Sequence, residues 1–204
     1  MTDILSPERV VQAFVGARVS QLQQGNRANR SAAVAALARL RRAAGKEPGD
    51  ALDIFEYTLG DELIYKRADD KASWAEIAAH HAITLYAVHQ QSQPRGMHQR
   101  GRSLGEAVRR LIPDSEYKPT HAVARRFAML STAEDLAELV YHLRGIVQLL
   151  RAAGVPLDYG LLAEHLVTWQ RPGGRARVGL RWGRDFHVPP KTDKSENTEQ
   201  KDVP

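Results

Sequence analysis

Residues 136 to 153, LAELVYHLRGIVQLLRAA, decide the fold class that the sequence predicts. Their apolar residues recur at spacings of three and four, so one face of an α-helix collects them all. These residues are Leu136, Leu139, Val140, Leu143, Ile146, Val147 and Leu150. We expect the helix to run from a cap at Thr132 to Ala153, to be ended by Gly154, to be the longest in the chain and to lie centrally in a bundle. Arg144 and Arg151 lie one heptad apart beside its apolar face.

The segments on either side show the same helical period. Predicted helices occupy approximately residues 7–22, 31–45, 49–63, 73–90, 103–112, 120–130, 158–169 and 177–186. Capping residues support several of these starts, including Ser73 with Glu76 and Ser103 with Glu106. No internal repeat or strand pair is evident, so the predicted architecture is all-α, with two small packed helical bundles. We place an N-terminal lobe at 1–95, a C-terminal bundle at 96–187 and a disordered tail at 188–204.

Composition removes several classes of protein. The 204 residues contain no cysteine, which excludes disulfides, thiol nucleophiles and cysteine-ligated zinc. No stretch approaches the roughly 18 apolar residues of a membrane span, and the N-terminus lacks the pattern of a signal peptide. We therefore expect a cytoplasmic protein with no membrane partner.

Basic residues are segregated along the chain. Residues 27–46 carry six basic residues and no acid, 95–126 carry eight basic and three acidic residues, and 171–187 carry five arginines against one aspartate. The intervening segments, such as 47–76, are acidic. This pattern suits a polyanion or an acidic partner surface, although internal salt bridges between the acidic and basic segments would also explain it.

Arginines that leave the apolar faces are the candidate phosphate ligands, because guanidinium groups pair with phosphate through two hydrogen bonds. Helix-wheel positions indicate that Arg39 and Arg42 point outward, free to meet an outside partner, with Arg41 on the flank. Arg109 and Arg110 are likewise expected to point outward. A glycine-rich segment at 94–102 is predicted to be a flexible basic loop, in which His98 could also bond a phosphate. The candidates are Arg39, Arg41, Arg42, Arg95, Arg100, Arg102, Arg109, Arg110, Arg125, Arg126 and Arg144.

No motif in the sequence predicts catalysis, a metal site or a cofactor. Asp114, Glu116 and Lys118 superficially match a nuclease pattern, but a helical turn explains them better than a magnesium site. The adjacent His80 and His81 would point about 100° apart on a helix. Trp169 and Trp182, interleaved with arginines, could stack bases or anchor the core, and the core is favoured for Trp169.

From Ser103 onward, the order of motifs resembles the CasB family, the small subunit of the type I-E CRISPR Cascade complex. The matching stretches are SLGEAVRRL, ARRFAML, LAELVYHLRGIVQLLR, PLDYGLLAEHLVTW and WGRDF, with ARLRRA and DIFEY upstream. The resemblance implies an all-α protein of two lobes, present as two copies beside a guide RNA. It assigns phosphate contacts to Arg41, Arg42, Arg109, Arg110, Arg125, Arg126 and Arg144. The other four candidates come from helix faces and loop composition.

The resemblance implies a non-catalytic subunit that holds guide, target and displaced-strand backbone and so stabilises the R-loop, without a cofactor, and the arginine pattern agrees with backbone binding. Its expected partners are guide RNA, target and displaced DNA strands, other Cascade subunits and a second copy of itself. The alternative is a helical scaffold whose arginines dock acidic partner subunits. A third hypothesis, a small helical nuclease or metal enzyme, would depend on His80, His81, Asp114 and Glu116.

Overall fold

The computed structural model describes residues 6–64 and 71–188. Within these ranges the chain forms nine α-helices and no β-strand, which confirms the all-α prediction. The helices are α1 Pro7–Arg27, α2 Ser31–Ala43, α3 Phe55–Thr58, α4 Trp74–Gln90, α5 Leu104–Arg109, α6 Ala122–Ala128, α7 Leu136–Ala153, α8 Tyr159–Gln170 and α9 Gly174–His187. Single 3-10 turns occupy Leu52–Ile54, Asp61–Leu63, Asp114–Glu116 and Met129–Ser131. The tail predicted to be disordered lies, from residue 189 on, outside the described residues.

Helix α4 is the central helix, rather than α7 as the sequence predicted. It packs against α1, α2, α7 and α8, and almost every residue from Ala75 to Gln90 is buried. Its alanines let the neighbouring helices approach from all sides, and a helix that is apolar all round belongs in an interior. The predicted capping box starts it, because the Ser73 hydroxyl accepts from the Glu76 amide and the Glu76 carboxylate accepts from the Ser73 amide.

Helix α7 lies at the surface with one face in the core. The inner face predicted from the sequence is buried from Leu139 to Leu150, and Gly154 ends the helix in the left-handed conformation, with φ of 65°. The predicted start was wrong, because Asp135, rather than Thr132, caps the helix by accepting from the Glu138 amide. With 18 residues it is shorter than α1, which has 21.

Two glycines explain where other predicted boundaries failed. Helix α1 does not end before Gly25 but continues to Arg27. Gly25 allows close contact between α1 and α2, since a Cβ at this position would lie 2.6 Å from the Cβ of Ala33. The predicted acidic helix at 49–63 is broken into α3 and two 3-10 turns. At Gly60 the backbone is extended and passes so close to α1 that a Cβ would lie 2.7 Å from the Phe14 ring.

The last helix, α9, covers α5 and α8. Helix α9 packs on both, and Gly105 of α5 makes the approach possible, since a Cβ there would collide with the Trp182 carbonyl. Trp182 is buried and donates from its indole nitrogen to Nδ1 of His165 at 2.8 Å. Trp169 is also buried, as predicted. Neither tryptophan is therefore available for base stacking.

One hydrophobic core runs through the described residues. It includes Val15 of α1, Leu85 of α4 and Leu143 of α7 together with Leu166 of α8. Helices from both sides of residue 95 thus share the core, and the domain boundary placed there stays a prediction. None of the helices in the ranges described has the length and apolar character needed to cross a membrane.

Candidate nucleic-acid interface

The basic segment at 94–102 is tethered, in contrast to the flexible loop predicted from its glycines. The Gln90 side chain accepts from the Met97 amide at 2.9 Å and donates to the Arg95 carbonyl at 2.9 Å. At the other end, Asp158 accepts from the Gly101 amide at 2.7 Å. Buried polar side chains therefore fix the backbone, while the side chains of Arg95 and Arg100 stay exposed.

His98, which the sequence placed among candidate phosphate ligands, is an internal residue. It is buried, and its Nδ1 accepts from the Tyr159 amide at 3.2 Å. Burial lowers its pKa, although Asp158 opposes the shift. A neutral, enclosed imidazole that accepts a backbone hydrogen bond cannot bind a phosphate.

The arginines around α5 are engaged with carboxylates, and we call Arg102, Arg109 and Arg110 with Glu106 and Asp114 the α5 cluster. Glu106 pairs with Arg110 at 3.1 Å and with Arg102 at 3.7 Å. Arg109 pairs with Asp114, donates to a backbone carbonyl at 2.7 Å and lies over the ring of Tyr117. The prediction that Arg109 points outward was wrong, since 15% of its side chain is exposed.

Arg39 is also occupied, so the prediction that it is free to meet an outside partner was wrong. It bonds to the Glu56 carboxylate at 3.1 Å, to the Tyr57 hydroxyl at 3.0 Å and to the Asp53 carbonyl at 3.2 Å. These contacts hold the acidic segment against α2, as expected of internal pairing between the basic and acidic segments. In this part of the chain the internal salt-bridge alternative explains the charge pattern.

A second group of arginines borders a groove between α6 and α7. Arg126 of α6 and Arg144 of α7 line this groove, which has a volume of about 480 Å³, together with Met129, Tyr141, Gly145 and Gln148. Arg144 also donates to the Ala44 carbonyl at 3.1 Å. This bond places the end of α2, whose last turn carries Arg41 and Arg42, against Arg144.

We call Arg41, Arg42, Arg126 and Arg144 the α7 surface. Within residues 6–64 and 71–188, none of these four side chains forms an ion pair with a carboxylate. Arg125, on the same short helix as Arg126, is likewise exposed and unpaired there. Unpaired guanidinium groups on neighbouring elements form a cationic surface that can accept a polyanion.

The end of α7 connects this surface to the tethered loop. Arg151 donates to Gln91 at 2.9 Å, and Gln93 donates to the Arg151 carbonyl at 2.9 Å. Arg144 and Arg151 share one side of the helix and are separated by about 10 Å along its axis. These bonds hold the end of α7 against the residues that precede the loop with the exposed Arg95 and Arg100. The sequence candidates did not include Arg151, Tyr141 or Gln148, although a tyrosine on the polar side of α7 was a visible signal.

The residues considered for catalysis or metal binding do not form a site. Among the residues that the structure describes, no three histidine or acidic side chains come together as possible metal ligands. His80 bonds the Lys46 carbonyl at 2.9 Å, and burial lowers the pKa of the adjacent His81 to about 3. Asp114 pairs with Arg109 on an exposed turn. These groups serve packing and charge balance.

Comparison with known proteins assigns the family. The profile of the CRISPR-associated protein Cse2 matches residues 36–187, which is most of the chain. The chain belongs to the Cse2 family. The crystal structure of CasB from Thermobifida fusca is 44% identical over 88% of this chain and 98% of that chain, with a TM-score of 0.76. The resemblance to CasB is thereby confirmed.

More distant solved structures share the fold. A Cse2-family protein from Thermus thermophilus is 26% identical, covers 86% of this chain and 96% of its own, and has a TM-score of 0.61. A chain of a CRISPR RNA-guided surveillance complex is 23% identical over 87% of this chain and 93% of its own, with a TM-score of 0.65, and shows the fold alone. A search of curated proteins gave no match.

Proposed function

We propose that this chain is a non-catalytic subunit of an RNA-guided CRISPR surveillance complex, of the Cascade type, that holds nucleic-acid backbone on its α7 surface. The observation that carries the proposal is the group of four arginines of the α7 surface, which form no ion pair with a carboxylate in the part of the chain that the structure describes, two of them bordering the α6–α7 groove. Membership of the Cse2 family and the fold shared with a chain of a surveillance complex support it.

Arginine suits this function because its planar guanidinium stays charged and pairs with phosphate through two hydrogen bonds. In RNA-guided complexes, base pairing to the guide reads the sequence, so a subunit needs only to hold the sugar-phosphate chain. An array of arginines without a reading helix fits that division of work. We propose that the surface steadies guide, target or displaced strand and so stabilises the R-loop.

The partners follow from this assignment. They are guide RNA, target and displaced DNA strands, the other subunits of the complex and a second copy of this chain, with no catalytic step by the chain itself. Arg125, Arg95 and Arg100 extend the contact from the α7 surface. Arg39, Arg102, Arg109 and Arg110 contribute less in our proposal, because a phosphate would first have to displace their carboxylates. A cytoplasmic location stays a prediction.

Fluorescence anisotropy of the full chain with a labelled single strand, duplex DNA and RNA tests the proposal. We expect binding that weakens steeply from 50 to 200 mM salt, since phosphate contacts release counterions. A variant with Arg41, Arg42, Arg126 and Arg144 all changed to Gln should reduce the log-log salt slope by about 0.7 per contact on a single strand. Failure of the wild-type chain to bind any of the three polymers at 50 mM salt would refute the proposal.

A second groove favours the alternative function of a protein scaffold. It lies between α6 and α9, has a volume of about 270 Å³ and is bordered by Phe127, Phe186 and Trp182 with Gly179 and Gly183. Such an apolar lining suits a protein side chain better than a phosphate. Assembly with partner subunits by a chain that binds no nucleic acid would favour the scaffold.

A further inference from the structure

Tyr141 presents an aromatic ring to solvent in the middle of α7. It is 74% exposed, in a helix whose opposite face forms the core. Among the described residues, the ring of His142 is the aromatic neighbour, at 5.5 Å between centroids and 66° between planes. Most of the ring surface is therefore open to a ligand.

The ring and two cationic groups converge on the same space. Arg144 and Gly145 lie three and four residues after Tyr141, and Gln148 lies four and three residues after them, so the four residues form one strip along α7. Arg126 borders the opposite side of the groove, from α6. An open ring that shares a groove with two guanidinium groups matches the chemistry of a nucleotide, which has a flat base and charged phosphates on either side.

Gly145 gives an independent indication that this space is kept open. Glycine is a poor helix former, yet it stands in the interior of α7. Its backbone does not adopt positive φ, and a Cβ at this position would meet no atom within 4 Å. Within residues 6–64 and 71–188, neither packing nor backbone conformation requires glycine here. A side chain would instead project into the groove, where a bound molecule would lie.

We propose that the α6–α7 groove binds an unpaired nucleobase of a single strand, stacked on Tyr141, with Arg126 and Arg144 holding phosphates on either side. This inference rests on the proposed function and adds a preference to it. A base within a duplex is already stacked on both faces and cannot reach the ring. The site therefore favours single-stranded over double-stranded nucleic acid, whatever the base sequence.

The inference is tested with the full chain and three labelled 20-mers: oligothymidylate, an abasic strand of the same length, and oligouridylate. Stacking of one base predicts that the wild-type chain binds oligothymidylate about 5- to 150-fold more tightly than the abasic strand. Tyr141→Ala should bring this ratio close to one and leave the salt slope unchanged, because no phosphate contact is lost. Tyr141→Phe should retain the ratio. Comparison of the thymidylate and uridylate strands shows whether a DNA or an RNA strand is preferred.

A second variant tests the same site by adding a side chain at Gly145, which lines the groove. Gly145→Gln should fill the groove and reduce the base-dependent ratio, while the melting temperature stays level or rises because glutamine is the better helix former. Gly179→Gln is the matched control, since Gly179 is also a helical glycine with no atom within 4 Å of its Cβ. It lies in α9 and borders the groove between α6 and α9 rather than the α6–α7 groove, so this change should leave the ratio unchanged.

The outcomes separate this inference from the proposed function. Equal affinity of the wild-type chain for the oligothymidylate and abasic strands would overturn the base site while leaving backbone binding intact. A base-dependent ratio that survives both Tyr141→Ala and Gly145→Gln would also overturn it. Failure to bind any strand would overturn the proposed function as well, and would favour an acidic protein segment as the occupant of the groove.

Discussion

The α7 surface and the α5 cluster contain the same residue type in different electrostatic surroundings. In the α5 cluster, Glu106 lies four residues from both Arg102 and Arg110, and Asp114 lies five residues beyond Arg109. In α7, the positions three and four residues from Arg144 hold two valines, a tyrosine and a glutamine, and none of them is acidic. For Arg102, Arg110 and Arg144, the residues within one helical turn thus distinguish an arginine that is paired with a carboxylate from one that has no such partner among the described residues.

Exposed ion pairs are weak, so pairing with a carboxylate only partly prevents an arginine from binding a phosphate. An exposed pair such as Arg110 with Glu106 contributes about 0 to 1 kcal/mol and weakens in salt, so a phosphate can compete for the arginine. Arg109 is held more firmly, because it also bonds to a backbone carbonyl and lies over Tyr117. In the α5 cluster, a phosphate can therefore compete with the carboxylate for Arg110, whereas Arg109 stabilises the fold.

The largest expected effect distinguishes the two faces of α7. Leu143→Ala removes a fully buried side chain and should lower the free energy of unfolding by about 2 to 5 kcal/mol. Tyr141→Ala, on the exposed face, should change it by less than about 0.5 kcal/mol. Urea unfolding monitored by circular dichroism measures both. A similar loss of unfolding free energy in the two variants would mean that Tyr141 supports the fold. Its ring would then not be available to bind a base in the α6–α7 groove.

Low pH should decrease the free energy of unfolding through buried histidines of the core, while the arginines of both regions keep their charge. Burial lowers the pKa of His165 to about 3 and of His89 to about 4, whereas an unfolded histidine titrates near 6.5. As the pH falls below 6.5, these histidines bind protons in the unfolded chain but stay neutral in the folded chain. Each histidine then removes up to about 1.4 kcal/mol of stability per pH unit, until its folded pKa is reached.

Urea midpoints at pH 7.5, 6.0 and 5.0 check this dependence on pH. His165→Asn should flatten it, because one of the buried imidazoles is gone. Between pH 8 and 7 the stability should be nearly constant, since these histidines are neutral in both states. A chain that is more stable at pH 5 than at pH 7.5 would contradict the assignment of neutral, buried histidines.

Arg109 and Arg126 should differ in what each loses when it is changed to alanine. Arg109→Ala loses a hydrogen bond to the Ile112 carbonyl and the contact with Tyr117, and should cost about 1 to 2 kcal/mol of stability. Arg126→Ala, with an exposed and unpaired side chain, should leave the melting temperature unchanged but weaken nucleic-acid binding. Thermal melts and anisotropy titrations of the two variants form a matched pair. Loss of binding without loss of stability in Arg109→Ala would show that it too serves the interface.

The fold was largely predictable because α-helical periodicity and capping are local. The inner face of α7, its end at Gly154 and the caps at Ser73 and Ser103 depend on residues within a few positions of one another. The errors at Gly25 and Gly60 arose because each glycine meets a residue of another helix, which no local pattern encodes. Similarly, the glycines of the 94–102 segment suggested flexibility, while Gln90 and Asp158 tether it.

The candidate site was harder to predict because helix wheels give direction but not partners. Outward positions were assigned to Arg39 and Arg109, and both side chains turn back onto carboxylates and tyrosine rings. Arg126 and Arg144 were predicted separately, and only the packing of α6 beside α7 shows that they border one groove.

The central claim is that free arginines of the α7 surface, rather than paired arginines of the α5 cluster, bind phosphate. The most direct test compares two triple variants, one with Arg41, Arg126 and Arg144 changed to Gln and one with Arg102, Arg109 and Arg110 changed to Gln. The measured quantity is the log-log salt slope for binding a single strand, after circular dichroism has shown that both variants are folded. We predict a decrease of about 2 in the slope for the first variant and of less than about 0.7 for the second. Equal decreases, or a larger one for the second variant, would contradict the account.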